Sequence, residues 1–369
     1  MAAEGTLLLR LLALGLSFMG LCMASRRLLK LNRFIAPGFA AASIIALITL
    51  AGMAGALKPA LILIYSGGLA GLIGCALVKR ERPDWILAGA LAVLVGLLCW
   101  RFYGCHLYVW DDFSHWAVAA RYPLDNDALP SGRSSLISFQ SYPPGAAAFI
   151  YYFCRTLAVR EDLFLVAQNT LMILTALPLL AHMDLKKHRA MLLPVGACMA
   201  VLFKFNRPMC TLMVDWLLCF VGFGGILSVL YYRDDLPRAM LVGIPCMIAS
   251  VYLKSSGAFF AVWTAVALTA VARKSRSRKS ALRTLLACAA VIAGAFALWI
   301  LYVKVSYPAA LDTPHAVSAE AYVSEARQKG LRASLANGLN MIRARLHPDT
   351  TQIFNQIFYL VSLAAILLT

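Results

Sequence analysis

The stretch that decides how this chain is arranged is PPGAAAFIYYFCRTL, residues 143–157. It is apolar, but its fifteen residues are fewer than the roughly 17–25 that a membrane-spanning helix needs. Its two leading prolines suit the first turn of a helix. We therefore expect a short helix that lies in the outer membrane interface, with its tyrosines among the lipid headgroups.

The chain on both sides of this stretch has the composition of a membrane protein. Hydrophobic residues make up 61% of its 369 residues and charged residues 14%, whereas soluble domains are nearer one half and one quarter. This mixture predicts an all-α, polytopic transmembrane bundle of about eleven spans, with juxtamembrane helices in a large outer loop. The apolar runs are 6–24, 34–57, 60–78, 85–100, 163–183, 190–205, 216–232, 239–253, 257–272, 285–303 and 353–369.

The basic residues indicate the orientation of the chain. The net charge is +17, but a nucleic-acid partner would need these charges gathered on one face or tail. Here they form short clusters between apolar runs, so no nucleic acid is expected. If residues 143–157 do not cross, every cluster falls on one side, which the positive-inside rule makes cytoplasmic. The clusters lie within 26–33, 79–82, 186–189, 233–238 and 273–283.

We divide the chain into three parts. Residues 1–84 hold three accessory helices, residues 85–272 form a module with the outer loop 101–162, and residues 273–369 add further helices with the outer loop 304–351. The last apolar run reaches Thr369 with no basic residue after it, which fits either a fragment or a chain without distal helices.

The first outer loop opens with two adjacent acids, Asp111 and Asp112, in the sequence WDDFSHW (110–116). Neighbouring carboxylates repel each other. That cost is tolerated where they share a metal, a cation or a proton, or where one of them serves as a base. The alternative is a solvated pair, or a pair that caps the helix beginning near Phe113.

This loop resembles that of the GT-C superfamily of polytopic glycosyltransferases. Its members carry an acidic pair at the start of the first large outer loop, followed by two juxtamembrane helices, the second introduced by a Pro-Pro element. Asp111 and Asp112 match the acidic pair, and Pro143 and Pro144 in SYPPG (141–145) match the Pro-Pro element. The alternation of spans extends the likeness loosely from residue 85 to residue 252.

The resemblance implies an activity and a third acid. It implies inverting transfer of a sugar from a polyprenyl-phosphate carrier to a glycan, lipid or protein acceptor on the outer face. In a bacterium this would be the outer face of the plasma membrane. It also implies an acid at the outer end of the third helix of the module, which matches Asp215 in KFNRPMCTLMVDWLL (204–218). The alternative for Asp215 is an interface anchor paired with Lys204 or Arg207.

The acid pair offers a base and a second carboxylate. Asp111 matches the first acid of the family pair, so we expect it to deprotonate the acceptor, with Asp112 positioning the acceptor, a metal or His115. The pair could hold Mg²⁺ or Mn²⁺, although relatives differ in whether they need a metal. His115 could equally be an ordinary interfacial histidine.

Several other residues on the outer side are candidates for substrate binding. Lys204 and Arg207 precede Asp215, and Tyr142 belongs to the SYPPG element. Lys254, in YLKSSG (252–257), combines a cation with neighbouring backbone donors that could meet a phosphate. The alternative for Lys254 is snorkelling to the headgroups.

Two rival functions follow from the same sequence. A transporter or flippase of lipid-linked intermediates would place its charged residues near the bilayer midplane, often in two related halves. Here the acids gather at the outer surface, which favours an enzyme. A non-catalytic partner that has kept the fold is the third alternative.

Overall fold

The structure is a computed structural model that describes residues 2–78, 83–132, 137, 139–183, 207–275, 277–307, 330 and 333. The chain divides into two compact units, residues 1–310 and 311–369, and all features described below belong to the first. The regular structure within the described ranges is entirely helical. The predicted fold class, an all-α polytopic bundle, is confirmed.

Nine helices in the described ranges are long and apolar enough to cross a membrane. Each coincides with one of the predicted apolar runs, while the runs 190–205 and 353–369 lie outside the described residues. The nine are α1 (Ala2–Leu28), α2 (Ile35–Met53), α3 (Leu57–Ile73), α4 (Trp85–Phe102), α7 (Glu161–Ala176), α8 (Val214–Tyr231), α9 (Leu236–Leu253), α10 (Ala258–Ser275) and α11 (Arg278–Ser306). Two short helices, α5 (Ala117–Asn126) and α6 (Gly145–Cys154), lie between α4 and α7.

Helix α2 occupies the centre of the first unit. Most of its residues are buried, and it packs against α6, α7, α8 and α9 as well as against α1 and α3. Residues 1–310 form one compact unit. The boundary at residue 84 therefore divides the first three helices from the later ones in the sequence, but it does not separate two compact bodies.

Three of the predicted basic clusters meet at one end of the bundle. The backbone N–H of Asn32 donates to the Tyr232 hydroxyl (2.6 Å). This hydrogen bond joins the loop after α1 to the end of α8. Lys274 pairs with Asp234 (3.0 Å) and so joins the end of α10 to the loop after α8. The clusters within 26–33, 233–238 and 273–283 thus share one end, as the alternation of spans requires.

Helix α6 contains the residues that we expected at the interface. It has ten residues, all of them buried, and is surrounded by α2, α5, α7 and α9. The prediction of a helix too short to cross is confirmed. The expectation that its tyrosines lie among headgroups is wrong, because protein buries both side chains, and the Tyr151 hydroxyl donates to Asp127 (2.7 Å). The backbone carbonyl of Tyr152 accepts from the Tyr65 hydroxyl (2.6 Å).

The far end of α6 is fixed by an ion-paired cluster. The Arg155 guanidinium donates to both carboxylate oxygens of Asp127, at 2.8 Å and 3.0 Å. Lys58, at the start of α3, lies 3.9 Å from the same carboxylate. Since Asp127 follows α5, this cluster connects α3, α5 and α6 at the end of the bundle opposite the basic loops.

The near end of α6 depends on a glycine. A Cβ added to Gly145 would lie 2.5 Å from the carbonyl oxygen of Tyr252 near the end of α9, closer than real side chains come. Only glycine therefore allows the Pro143–Pro144–Gly145 segment to lie against the residues that lead to Lys254.

We expect Gly145→Ala to destabilise the protein, because overpacking against a fixed backbone costs about 1–3 kcal/mol. Thermal unfolding of the detergent-solubilised protein should shift to lower temperature. The matched control is Gly89→Ala in α4, where an added Cβ meets no atom within 4 Å. Equal melting temperatures for Gly145→Ala and the wild type would contradict the close approach of α6 and α9.

Candidate active site

A single turn of π-helix carries the second acid and the histidine. Residues Asp112–Trp116 form this turn, which leads directly into α5. Such turns re-aim side chains and are frequent at functional sites. Asp112 is 0% exposed and His115 2% exposed, whereas Asp111 is only half-buried.

The carboxylate of Asp112 is held by a distant segment of the chain. Its Oδ1 atom accepts a hydrogen bond from the backbone N–H of Leu212 (2.9 Å). Its Oδ2 atom is buried and has no hydrogen-bond partner among the described residues. Leu212 lies between the 3-10 turn Arg207–Cys210 and α8. The contact therefore joins the acid pair to the segment that leads to Asp215.

The burial of Asp112 and the contacts of Asp111 exclude the two alternative interpretations of the acid pair. Asp112 is buried, so the two acids are not a solvated loop pair. Asp111 occupies the position before the π-turn, but its side chain makes no capping hydrogen bond. Both the solvated and the capping alternatives are therefore wrong for the pair as the structure places it.

The surroundings of Asp112 favour its protonated form. Burial raises its pKa to about 6; the Leu212 N–H opposes this shift, and the charges of Asp111 and Glu161 add to it. A carboxyl group with this pKa changes protonation near neutral pH, where groups that transfer protons are most effective.

Two amides of α7 hold the segment that contacts Asp112, and the sequence analysis missed both. Gln168 Nε2 donates to the Thr211 carbonyl (3.0 Å), and Asn169 Nδ2 donates to the Met209 carbonyl (3.0 Å). Both side chains are buried. Adjacent amides inside a long apolar run were the available signal, because such groups are costly in a membrane unless they find partners within the protein.

A second pair of acids, at the start of α7, fastens the loop that precedes Asp111. Asp162 accepts from the Gly104 N–H (3.2 Å) and is also bound by the Arg160 guanidinium. Glu161 accepts from the Leu107 N–H (3.0 Å). The beginning of α7 thereby anchors residues 104–107 and restricts where the acid pair can lie.

His115 lies in a box of aromatic rings. Its ring centroid is 4.6 Å from that of Trp116, 5.6 Å from that of Phe139 and 5.4 Å from that of Tyr142. Burial, with a smaller contribution from Lys254, lowers the pKa of His115 to about 4. The histidine is therefore neutral at neutral pH. Its burial in protein shows that the interfacial alternative is wrong.

Lys254 and Asp215 form an ion pair. The Lys254 Nζ atom lies 2.7 Å from Asp215 Oδ1 and 5.9 Å from the centroid of the Tyr142 ring, within the range of a cation–π contact. The Lys254 side chain is 22% exposed, and its ammonium group is held by Asp215. Asp215, for which we considered Lys204 and Arg207 as partners, is paired with Lys254. Of these, Lys204 lies outside the described residues, and Arg207 begins the 3-10 turn.

These contacts form a continuous set at one end of the bundle. Asp112 holds Leu212, three residues before Asp215. Asp215 pairs with Lys254, which faces Tyr142, which in turn contacts His115. The structure thus brings together five of the predicted site residues, and Asp111 adjoins them in the chain.

The buried part of this set is close-packed. A cavity of about 10 Å³ lies beside His115, with room for about one water molecule. Its lining includes Pro143, Pro144, Gln168 and Leu212. Any ligand larger than a water molecule would therefore have to bind at the exposed rim, where Asp111, Asp215 and Lys254 lie.

The described residues do not fit the divalent cation that the acid pair could hold. Within the described ranges, no group of three or more His, Cys, Asp and Glu side chains is arranged to hold a metal ion. One oxygen of Asp112 is already taken by the Leu212 N–H.

No protein-family model, no curated protein and no solved structure matches this chain. The likeness to the GT-C superfamily rests on the residues quoted for it.

We expect the stability of the protein to report the burial of Asp112. Because its pKa is raised from 3.8 to about 6, the folded chain keeps this proton while the unfolded chain loses it. The contribution of Asp112 to the free energy of unfolding therefore falls as the pH rises from about 4 to about 6. Asp112→Asn removes this dependence.

The measurement is thermal unfolding of the wild type and Asp112→Asn between pH 4 and pH 8. The melting temperature of the variant minus that of the wild type should increase up to about pH 6 and then stay level. His115 titrates in both proteins, so its effect cancels to first order. A difference that does not change with pH would contradict the raised pKa.

Proposed function

We propose that this chain is a membrane glycosyltransferase that moves a sugar from a polyprenyl-phosphate carrier to an acceptor on the outer face of the membrane. The observation that carries the proposal is the continuous set of contacts from the acid pair to the Lys254–Asp215 ion pair. This set combines carboxylates, a cation and aromatic rings at a helix-bundle end. Sugar transfer from a lipid phosphate needs a base for the acceptor and a cation for the departing phosphate.

In this proposal Asp111 is the base. It is the more exposed acid, and its carboxylate makes no hydrogen bond or ion pair to any other described residue. The acceptor oxygen or nitrogen attacks the anomeric carbon of the sugar and gives its proton to Asp111. The bond from the anomeric carbon to the phosphate oxygen breaks, and the electron pair leaves with the polyprenyl phosphate. A single displacement inverts the configuration of that carbon.

Asp112 supports the base without reaching the acceptor. It is fully buried and fixes the segment that leads to Asp215. Burial raises the pKa of Asp112 to about 6, and the charge of Asp111 adds to this shift. Protonation of Asp112 below about pH 6 then removes a charge beside Asp111, so we expect transfer to depend on pH in this range.

Lys254 stabilises the phosphate that leaves. Its ammonium group lies at the end of α9, where the backbone turns through Ser255–Gly257 into α10. A cation beside a departing phosphate lowers the barrier because the charge on that phosphate grows during the reaction. Tyr142 flanks the same region and would contact the sugar, while the buried, neutral His115 packs against Tyr142 from the protein side.

The outer-face assignment rests on charge. Three basic clusters meet at the end of the bundle opposite the acid pair, and basic loops favour the cytoplasm. Lys58, on the side of the acid pair, has a side chain that is 62% exposed, and Arg233, at the basic end, one that is 69% exposed. Both positions therefore suit chemical labelling.

In intact cells we expect Lys58→Cys to react with a membrane-impermeant maleimide, and Arg233→Cys to react only after permeabilisation. The parent protein, with its native cysteines, sets the background. Labelling of Arg233→Cys in intact cells, together with protection of Lys58→Cys, would invert the topology. The acid pair would then face the cytoplasm.

The proposed activity is tested by transfer of radiolabelled sugar from membrane lipid extracts to endogenous acceptors, in a strain that lacks the native protein. Loss of a general base typically costs about 10²–10⁴-fold, so Asp111→Asn should lose at least about a hundredfold. Asp112→Asn should also fall sharply, because the buried acid orients the site. The matched control is Asp125→Asn, an exposed α5 acid whose partner among the described residues is Arg121.

Protein levels in the membrane must be equal across these variants. Transfer that persists unchanged in both Asp111→Asn and Asp112→Asn would contradict the proposed function. Loss of transfer in Asp125→Asn to the same degree would mean that the assay reports general damage to the outer loop.

A further inference from the structure

Lys254 is not free to receive a phosphate as the structure stands. Its Nζ atom is 2.7 Å from Asp215 Oδ1. An anion that binds this lysine beside Asp215 places two negative charges on one ammonium group, and like charges at this separation repel. The anion must therefore either tolerate Asp215 or displace it.

Buried residues adjoin both Lys254 and Asp215, but the Lys254 side chain is the more enclosed of the two, 22% exposed against 54%. Tyr252 and Leu253, immediately before Lys254, are both fully buried. The turn after it is equally confined, because a Cβ on Gly257 would lie 1.8 Å from the Ser250 carbonyl oxygen. By contrast, the Asp215 side chain is 54% exposed. Of the two partners, Asp215 is the one that can turn away into water.

The Lys254–Asp215 ion pair is useful because of its location near the surface of the membrane. An unpaired lysine near the surface of a bilayer attracts the phosphates of ordinary lipids. These phosphates are diesters, the same chemical group as in a sugar-phosphate carrier. An unpaired lysine at this position would therefore bind the phosphate of a bulk lipid most of the time and would rarely be available to the carrier.

We propose that Asp215 is the resident counterion of Lys254, and that it keeps bulk phospholipid phosphates off this lysine until the phosphate of the sugar carrier displaces it. This inference rests on the proposed function, because it takes the Lys254 region as the phosphate site. The carrier displaces Asp215 and a bulk lipid does not, because the sugar of the carrier also contacts neighbouring groups such as Tyr142. Asp215 is thus a specificity-determining residue that opposes the binding of anions.

The proposal predicts a gain of binding from the loss of an acid. A partly exposed ion pair is weak, so releasing it accounts for only part of the gain, and the removal of repulsion adds to it. We expect Asp215→Asn to bind an anionic phosphodiester about tenfold more tightly than the wild type. Raising the salt concentration should shrink this difference, since both effects are electrostatic.

The probe is dihexanoyl phosphatidylglycerol, a short-chain anionic phosphodiester, titrated into the full chain in detergent by isothermal calorimetry. Dihexanoyl phosphatidylcholine, which has no net charge, is the ligand control. The proteins are the wild type, Asp215→Asn, Asp215→Ser, Lys254→Gln and the double variant Asp215→Asn with Lys254→Gln. Size-exclusion profiles and melting temperatures verify that each variant is folded, and Asp215→Ser replaces Asp215→Asn if that variant is not.

Tighter binding of phosphatidylglycerol by Asp215→Asn, abolished in the double variant, supports the proposal. Equal or weaker binding by Asp215→Asn and Asp215→Ser, together with loss of binding in Lys254→Gln, overturns it and leaves Lys254 as an anion site. Identical binding by all five proteins overturns both the counterion role and the assignment of phosphate to Lys254. Sugar transfer that depends on Asp111 would still support a transferase in either of these two cases.

Discussion

The hydrogen bond from the Leu212 N–H to the buried carboxylate of Asp112 is the contact on which the rest of the site depends. Burying a carboxylate is costly unless the group is hydrogen-bonded or neutralised, and here one oxygen receives a backbone donor at 2.9 Å. That donor is in place because Gln168 and Asn169 hold its segment from α7. Since Asp215 follows in the same segment, one contact sets the relation between the acid pair and the ion pair.

Helix α6 imposes the second constraint. It is too short to cross the bilayer and is enclosed by protein, so the Tyr151 hydroxyl finds its partner, Asp127, inside the bundle. Its start can lie against α9 only because Gly145 has no side chain. The same approach sets the Pro-Pro element, and Tyr142 before it, beside Lys254. The candidate site is therefore built where a short buried helix meets the end of a long one.

Much of the fold could be predicted from hydropathy, because the length of an apolar run determines whether it spans a membrane. Hydropathy located nine described helices that are long and apolar enough to cross a membrane, and it indicated that residues 143–157 are too few to do so. It failed for Tyr151 and Tyr152, because lipid and protein interiors are similarly apolar and a sequence pattern does not distinguish them. It also missed the partners Lys254 and Asp215, which are 39 residues apart and meet only through tertiary packing.

The central claim is that this site breaks a bond in a lipid-linked sugar. The most direct test is mass spectrometry of the lipids in proteoliposomes that contain the purified chain and a sugar-phosphate lipid extract. We predict that free polyprenyl phosphate appears only when an acceptor is added, in proportion to the glycosylated product. If the sugar-phosphate lipid crosses the bilayer without forming polyprenyl phosphate, the chain is a transporter and the claim is wrong.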